Sequence, residues 1–150
     1  MMEELGADWQ HVTIKQATGD AKYGDQNTDG SRSVRRNFQR LREAGATAAL
    51  MLCTAAAKGW QVDPYECETQ AHFVVHKPTG RKVAFADVVA VAAKLPVPKP
   101  SDLKLKSRDK WTQIGKAVPS VDLTGMTTGT AVYGQDVVID NMLYAVIQRP

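Results

Sequence analysis

Five arginines, Arg32, Arg35, Arg36, Arg40 and Arg42, crowd one short stretch of this chain, with Glu43 alone opposing them. They follow a polar turn, Gln26-Asn27-Thr28-Asp29-Gly30-Ser31-Arg32-Ser33, that feeds a helical pattern. The start of a helix offers unpaired N–H groups and the positive end of its dipole, and both favour an anion. Positive side chains there oppose the dipole by roughly 0.3–1 kcal/mol each, and a seated anion reverses that sign. Thr28, Gly30 and Ser31, with nearby arginine, are therefore candidates to bind phosphate or pyrophosphate. A second reading stays open, a solvated basic face that meets acidic surface on another protein.

Other reactive residues are scattered. His72 and His76 share a strand face by parity, but no carboxylate or cysteine completes a site with them. With His11 they read as surface or strand-packing histidines. Cys53 lies inside an apolar helical stretch and Cys67 in a polar one, neither beside a base that would activate a thiol. Two lone cysteines suggest neither a disulfide scaffold nor a zinc site. Thr79-Gly80-Arg81 reads as a hairpin turn. Gly115, Gly125 and Gly129 lack the strand-to-helix context of a dinucleotide fingerprint. No residue is assigned a catalytic or metal-binding role.

The helix after the turn must position the arginines. It is expected from Val34 to Lys58, about 37 Å long, with Phe38, Leu41, Gly45, Ala48, Leu52 and Ala55 as a buried stripe. Gly45 costs about 1 kcal/mol within a helix, and close approach of another backbone is the usual compensation. Gly59 is the expected stop. Upstream, Glu3 to Ala7 reads as a helix end stopped by Gly6, residues 9–17 as a strand, and 18–33 as a long functional loop. Downstream, Ala71–His76 and Arg81–Ala84 form a hairpin. Phe85–Leu95 forms a helix with Val88, Val91, Ala92 and Leu95 inward. Thr130–Val138 and Leu143–Gln148 are strand candidates joined by an Asp140-Asn141 turn.

The chain has 150 residues, 43% hydrophobic and 23% charged, with a net charge of +3. That balance is ordinary for a globular protein and too weakly basic to argue for nucleic acid. No apolar run reaches membrane-spanning length, and the acidic Met1–Leu5 is no signal peptide. The expected fold is α+β, a long central helix packed on short strands. Residues 1–95 are expected to form one partial α+β domain, the proline-rich 96–110 a linker, and 111–150 an incomplete β-rich lobe.

The turn at 26–33 belongs to a collinear set of motifs. Leu41-Arg42-Glu43-Ala44-Gly45-Ala46 and Ala55-Ala56-Ala57-x-x-Trp60-x-Val62 follow it, and Glu3-Glu4-Leu5-Gly6-Ala7-Asp8-Trp9 precedes it. Ile114-Gly115-Lys116-Ala117-Val118-Pro119-x-x-Asp122, Thr128-Gly129-Thr130-Ala131-x-Tyr133-Gly134-x-Asp136 and Asn141-Met142-Leu143-Tyr144-Ala145 complete it. Together they resemble the molybdopterin-binding large subunit of the xanthine dehydrogenase and aldehyde oxidase family, in the isoquinoline 1-oxidoreductase beta subunit branch.

The resemblance implies several things. Enzymes of this family oxidise aldehydes or N-heterocycles with water as oxygen source. They use molybdenum on a pterin cofactor, often molybdopterin cytosine dinucleotide, and pass electrons to an iron–sulfur or haem subunit. It makes Gln26, Thr28, Gly30, Ser31 and Ser33 cofactor-binding positions, and residues 111–150 the start of an α/β hammerhead domain. It also implies a periplasmic location, while the lack of a long apolar run leads us to expect no membrane insertion. The family turn reads Gln-x-Thr-Gly-Gly-Ser-x-Ser, and Asp29 replaces its first glycine with a negative charge. The family's catalytic glutamate and its Gly-Gln-Gly motif have no counterpart here. The chain is thus expected to be a central slice of a larger subunit, with the rest of that subunit as its partner, inactive and without cofactor alone. A stand-alone anion- or nucleotide-binding module, or a protein-interaction module, is the alternative.

Overall fold

The computed structural model describes residues 1–15 and 17–150, arranged as two compact units, Met1–Lys116 and Ala117–Pro150. The first unit is α+β. Its helices are α1 (Met2–Leu5), α2 (Arg32–Trp60) and α3 (Phe85–Ala92). Its strands β1 (Cys67–Gln70), β2 (Phe73–His76) and β3 (Lys82–Ala84) form an antiparallel meander in that order. Cys67 faces His76 across the first pair and Phe73 faces Ala84 across the second.

Helix α2 organises this unit. Its 29 residues extend about 43 Å. The C-terminal half is rich in small apolar residues, so α3 and β1 approach it closely. Leu52, Cys53, Ala55, Ala56 and Ala57 join Cys67, Val74 and Ala92 in the core, with Trp60, Val83, Phe85, Val88 and Leu95 around them. The helix passes through Gly59, the expected stop, and ends at Gln61, which takes the left-handed conformation at φ 59°. The N–H groups of Gln61 and Val62 both reach the Ala57 carbonyl, closing the helix without glycine. The extra turn brings Trp60 against the core and under the Arg81 guanidinium, 5.4 Å away.

The expected stripe is only half buried. Gly45, Leu52 and Ala55 are enclosed and Ala48 is half-buried, but Phe38 and Leu41 are exposed. Ala46, Cys53, Ala56 and Ala57 are buried as well. In α3, Phe85, Val88 and Ala92 face the core, as does Leu95 just beyond it, while Val91 turns outward. The strand β1 is an addition to the expected hairpin. Ala71 and His72 make a two-residue turn with φ of 46° and 68°, the geometry of a tight hairpin usually written Asn-Gly.

No strand is formed by residues 9–17 among the described residues, and Gln16, part of that expectation, lies outside them. Asp8 accepts the Gln10 N–H at 3.1 Å and caps a 3-10 turn over Trp9–His11. A side chain that bonds its own backbone competes with sheet pairing.

Segment 1–6 ties the unit together. A Cβ on Gly45 would lie 2.2 Å from the Met1 carbonyl oxygen, so the expected close approach is the α1 backbone. Gly6 caps α1 at φ 64°, and a Cβ there would lie 2.3 Å from the Thr69 carbonyl oxygen. Between these contacts Glu3 and Glu4 are buried. Glu4 accepts from Arg42 Nε at 2.7 Å and from the Lys106 N–H at 2.8 Å. Arg42 also donates to the Lys106 carbonyl and lies over the rings of Phe38 and Trp111. Glu3 Oε2 accepts the backbone N–H groups of Thr112, Gln113 and Ile114 at 2.9, 2.6 and 3.0 Å. Lys106 and residues 112–114 thus fold back onto α1.

In the second unit, Leu123–Thr128 forms α4, closed by Gly129 at φ 73°. A 3-10 turn covers Gly134–Asp136, and Asp140-Asn141 is a turn. Neither strand expected here forms. Val132, Val138, Leu143, Val146 and Ile147 are exposed, and no ladder partner lies beside them among the described residues. A strand exists only through the hydrogen bonds of a neighbour. No helix among the described residues is long and apolar enough to cross a membrane.

Two outcomes test this architecture. Gly45→Val places its branch against backbone, so it should cost about 1–3 kcal/mol and increase hydrogen exchange over residues 1–8. Gly59→Ala, with open space around it, should instead stabilise by up to about 1 kcal/mol. The second outcome concerns pH. Burial pushes the Glu3 carboxyl up, but the backbone donors of Gln113, Ile114 and Thr112, with Lys106, outweigh it and hold the group at about 2, below its ordinary 4.5. A depressed folded value adds stability above pH 4.5 that is lost as pH falls toward 2, roughly 3 kcal/mol in all. Acid titration of unfolding should show this limb in the native chain and lose it in Glu3→Gln.

Candidate functional site

The turn at 26–33 enters α2 without a side-chain cap. Ser31 is the N-cap residue but sits in the left-handed region at φ 52°, after Gly30 at φ 51°. Its hydroxyl caps nothing, whereas an N-cap serine commonly accepts a first-turn N–H. Gln26 Nε2 donates to the Thr18 carbonyl at 2.8 Å. Thr28 Oγ1 donates to the Gln26 carbonyl at 3.4 Å. Asp29 accepts from Arg32 Nε at 2.7 Å and also pairs with its Nη2. All five expected residues, Gln26, Thr28, Gly30, Ser31 and Ser33, are exposed.

A cavity of about 420 Å³ lies beside the turn. Arg32, Arg36 and Arg40 line it from successive turns of α2, with Ser33 and Asn37 between them. Tyr23, Gly24, Asp25 and Asn27 form the opposite wall. The spacing of four residues puts the three guanidinium groups on one helix face. Of the five expected residues, only Ser33 lines this cavity. The signal for the arginine row was present in the sequence as i, i+4, i+8 spacing. The loop that faces it, 23–27, carries no pattern that marks it.

Two of the three arginines already have counter-ions. Arg32 is paired with Asp29, and Arg36 Nη1 lies 3.0 Å from Asp25 Oδ2. The Asn27 backbone N–H, then Arg36, hold the Asp25 carboxyl below the usual carboxylate range, so it stays ionised near neutral pH. Arg35 and Arg40 make no ion pair among the described residues. Of the three lining arginines only Arg40 has no counter-ion among the described residues, and an anion would compete with two aspartates for the other two. Around it, Val34, Phe38 and Leu41 are exposed.

The other reactive groups have structural roles. His72 stands in the β1–β2 turn, and its Nδ1 accepts the Asp8 N–H at 2.8 Å. His76 is buried in β2, with Nδ1 2.7 Å from Thr79 Oγ1 and Nε2 3.3 Å from Glu66. Both cysteines are buried and free. Burial, with Cys67 nearby, pushes the Cys53 thiol up to about 12, and burial raises Cys67 as well. Neither thiol is activated. Among the described residues, no three His, Cys, Asp or Glu side chains gather to hold a metal ion.

No family model matches the chain. Among characterised proteins it is similar to oxidoreductase subunits. It is 30% identical to isoquinoline 1-oxidoreductase subunit beta from Brevundimonas diminuta, over 97% of this chain and 24% of that protein. It is also 30% identical to the membrane-bound aldehyde dehydrogenase [pyrroloquinoline-quinone] from Gluconacetobacter polyoxogenes, over 99% of this chain and 19% of that protein. The chain therefore spans about a quarter to a fifth of the length of these relatives.

Asp29→Asn should release Arg32 while keeping the shape of the turn. Titration with inorganic pyrophosphate should then show roughly two- to fivefold tighter binding, the range expected for breaking one exposed ion pair. Arg40→Ala should weaken binding in both backgrounds. Unchanged pyrophosphate affinity in both variants would show that the arginine row does not face the ligand.

Proposed function

We propose that this chain is a segment of the large subunit of an oxidoreductase of the xanthine dehydrogenase and aldehyde oxidase type. The observation that carries the reading is the similarity to isoquinoline 1-oxidoreductase subunit beta through nearly the whole chain. In this reading the complete subunit oxidises an aldehyde or N-heterocycle with water as oxygen source. An iron–sulfur or haem subunit takes the electrons, and the assembly works in the periplasm. Molybdopterin cytosine dinucleotide would supply the redox centre. The second relative's name carries pyrroloquinoline quinone instead, so the cofactor class is part of what the test must read.

Two of the five residues the resemblance selects are engaged within their own loop. Gln26 and Thr28 donate to backbone carbonyls of their own loop, and Asp29 brings a carboxylate to the helix start. What the chain offers an anion is the row Arg32, Arg36 and Arg40 with Ser33. We assign this segment two roles in the larger subunit. It supplies a rigid helix scaffold, and it presents a basic cavity to a phosphate-bearing group. Residues 111–150 would begin the α/β hammerhead lobe, with their exposed apolar runs paired by the rest of the subunit. The chemistry falls to residues outside this chain.

The test has two arms. The 150-residue chain, purified alone, should contain neither stoichiometric molybdenum nor quinone and should not oxidise aldehydes or isoquinoline. Stoichiometric molybdenum would overturn the assignment of cofactor binding to the rest of the subunit. In the second arm, this chain replaces the matching segment of the Brevundimonas subunit. Retained isoquinoline oxidation supports the reading. Loss of assembly, with the isolated chain still folded, counts against it.

A further inference from the structure

A second cavity, of about 440 Å³, lies within Met1–Lys116 and is separate from the arginine row. Its size is that of a small-molecule site. One wall is the α2 stripe Ala46, Ala49, Leu50 and Cys53, and the Tyr65 ring adds a second apolar surface. Small residues at 46, 49 and 53 leave the space that larger side chains would fill.

The charges around this cavity are unequally engaged. Glu4 is consumed by Arg42 and the Lys106 N–H, and Lys106 Nζ by Glu3. Lys77 Nζ donates to the Tyr65 carbonyl at 3.1 Å. Asp102 accepts the Lys99 N–H and the Ser101 hydroxyl. Lys104 Nζ stands 4.7 Å over the Tyr65 ring. Lys110 lines the same cavity and makes no ion pair among the described residues. Glu68 is the one carboxylate of the lining left without a hydrogen bond or ion pair among the described residues. The cavity thus joins an apolar wall to ammonium groups that exceed the lining carboxylates.

We propose that this cleft binds a small carboxylate with an apolar body, its carboxylate at Lys104 and Lys110 and its body against Ala46, Ala49, Leu50 and Tyr65. An ammonium group over an aromatic ring is available to a carboxylate without leaving the ring, so both ends of the ligand are met at once. The proposal does not depend on the oxidoreductase reading.

Octanoate is the probe, titrated by calorimetry into the full 150-residue chain, with octanol and octylammonium as comparators. Octanoate should bind at least about tenfold more tightly than either, the discrimination expected of one charge-assisted contact. Lys104→Glu with Lys110→Glu, both on exposed positions, should remove that preference while the melting temperature holds. Octanoate should also slow alkylation of Cys53 and Cys67, which line the cavity. Ala49→Phe should abolish binding by filling it. Absence of octanoate binding, equal binding of octanol, or unchanged affinity in the double lysine variant would overturn the proposal. The alkylation and lysine measurements decide the matter even if Ala49→Phe fails to fold.

Discussion

Glu3 and Glu4 carry two negative charges into the interior of Met1–Lys116, and the arrangement of that unit follows from how those charges are met. A buried carboxylate is tolerated only when hydrogen bonds and opposite charge replace the water it loses. Glu4 finds Arg42 on α2, and Glu3 finds three consecutive backbone N–H groups at 112–114. A four-residue helix is therefore bonded at once to the long helix and to a segment more than a hundred residues away. Gly45 and Gly6 let the α1 segment approach the α2 and β1 backbones closely enough for this to happen. Arg42, paired with Glu4 and lying over Phe38 and Trp111, ties the exposed N-terminal half of α2 to this network.

The same half of α2 bears the arginine row. Its own electrostatics are local. Asp25 and Asp29 neutralise Arg36 and Arg32 across an exposed surface, where each such pair contributes little to stability. Weak internal counter-ions can be displaced. Gln26 and Thr28, by contrast, donate to carbonyls of their own loop.

Much of this was legible beforehand where the signal is local. The long helix, the Gly6 stop, the β2–β3 hairpin and the close approach at Gly45 follow from periodicity, left-handed glycine and the cost of glycine within a helix. Among the described residues of 9–17 no strand forms, and over Trp9–His11 the Asp8 carboxylate caps a 3-10 turn instead. Thr130–Val138 and Leu143–Gln148 failed because alternation describes a face and a ladder needs a neighbour. The arginine row was visible as spacing, but the five turn residues were selected by their types, and only Ser33 lines the cavity.

The sequence by itself determined the long helix α2 and the helix that follows the hairpin, the glycines at 6 and 45, and that α2 begins in positive charge, because these depend on neighbours within a few residues. Tertiary structure alone decided that Glu3 and Glu4 are buried, that Lys106 and residues 112–114 return to meet them and that Asp25 and Asp29 occupy two of the arginines. Those outcomes depend on charges meeting across distances that no local pattern encodes.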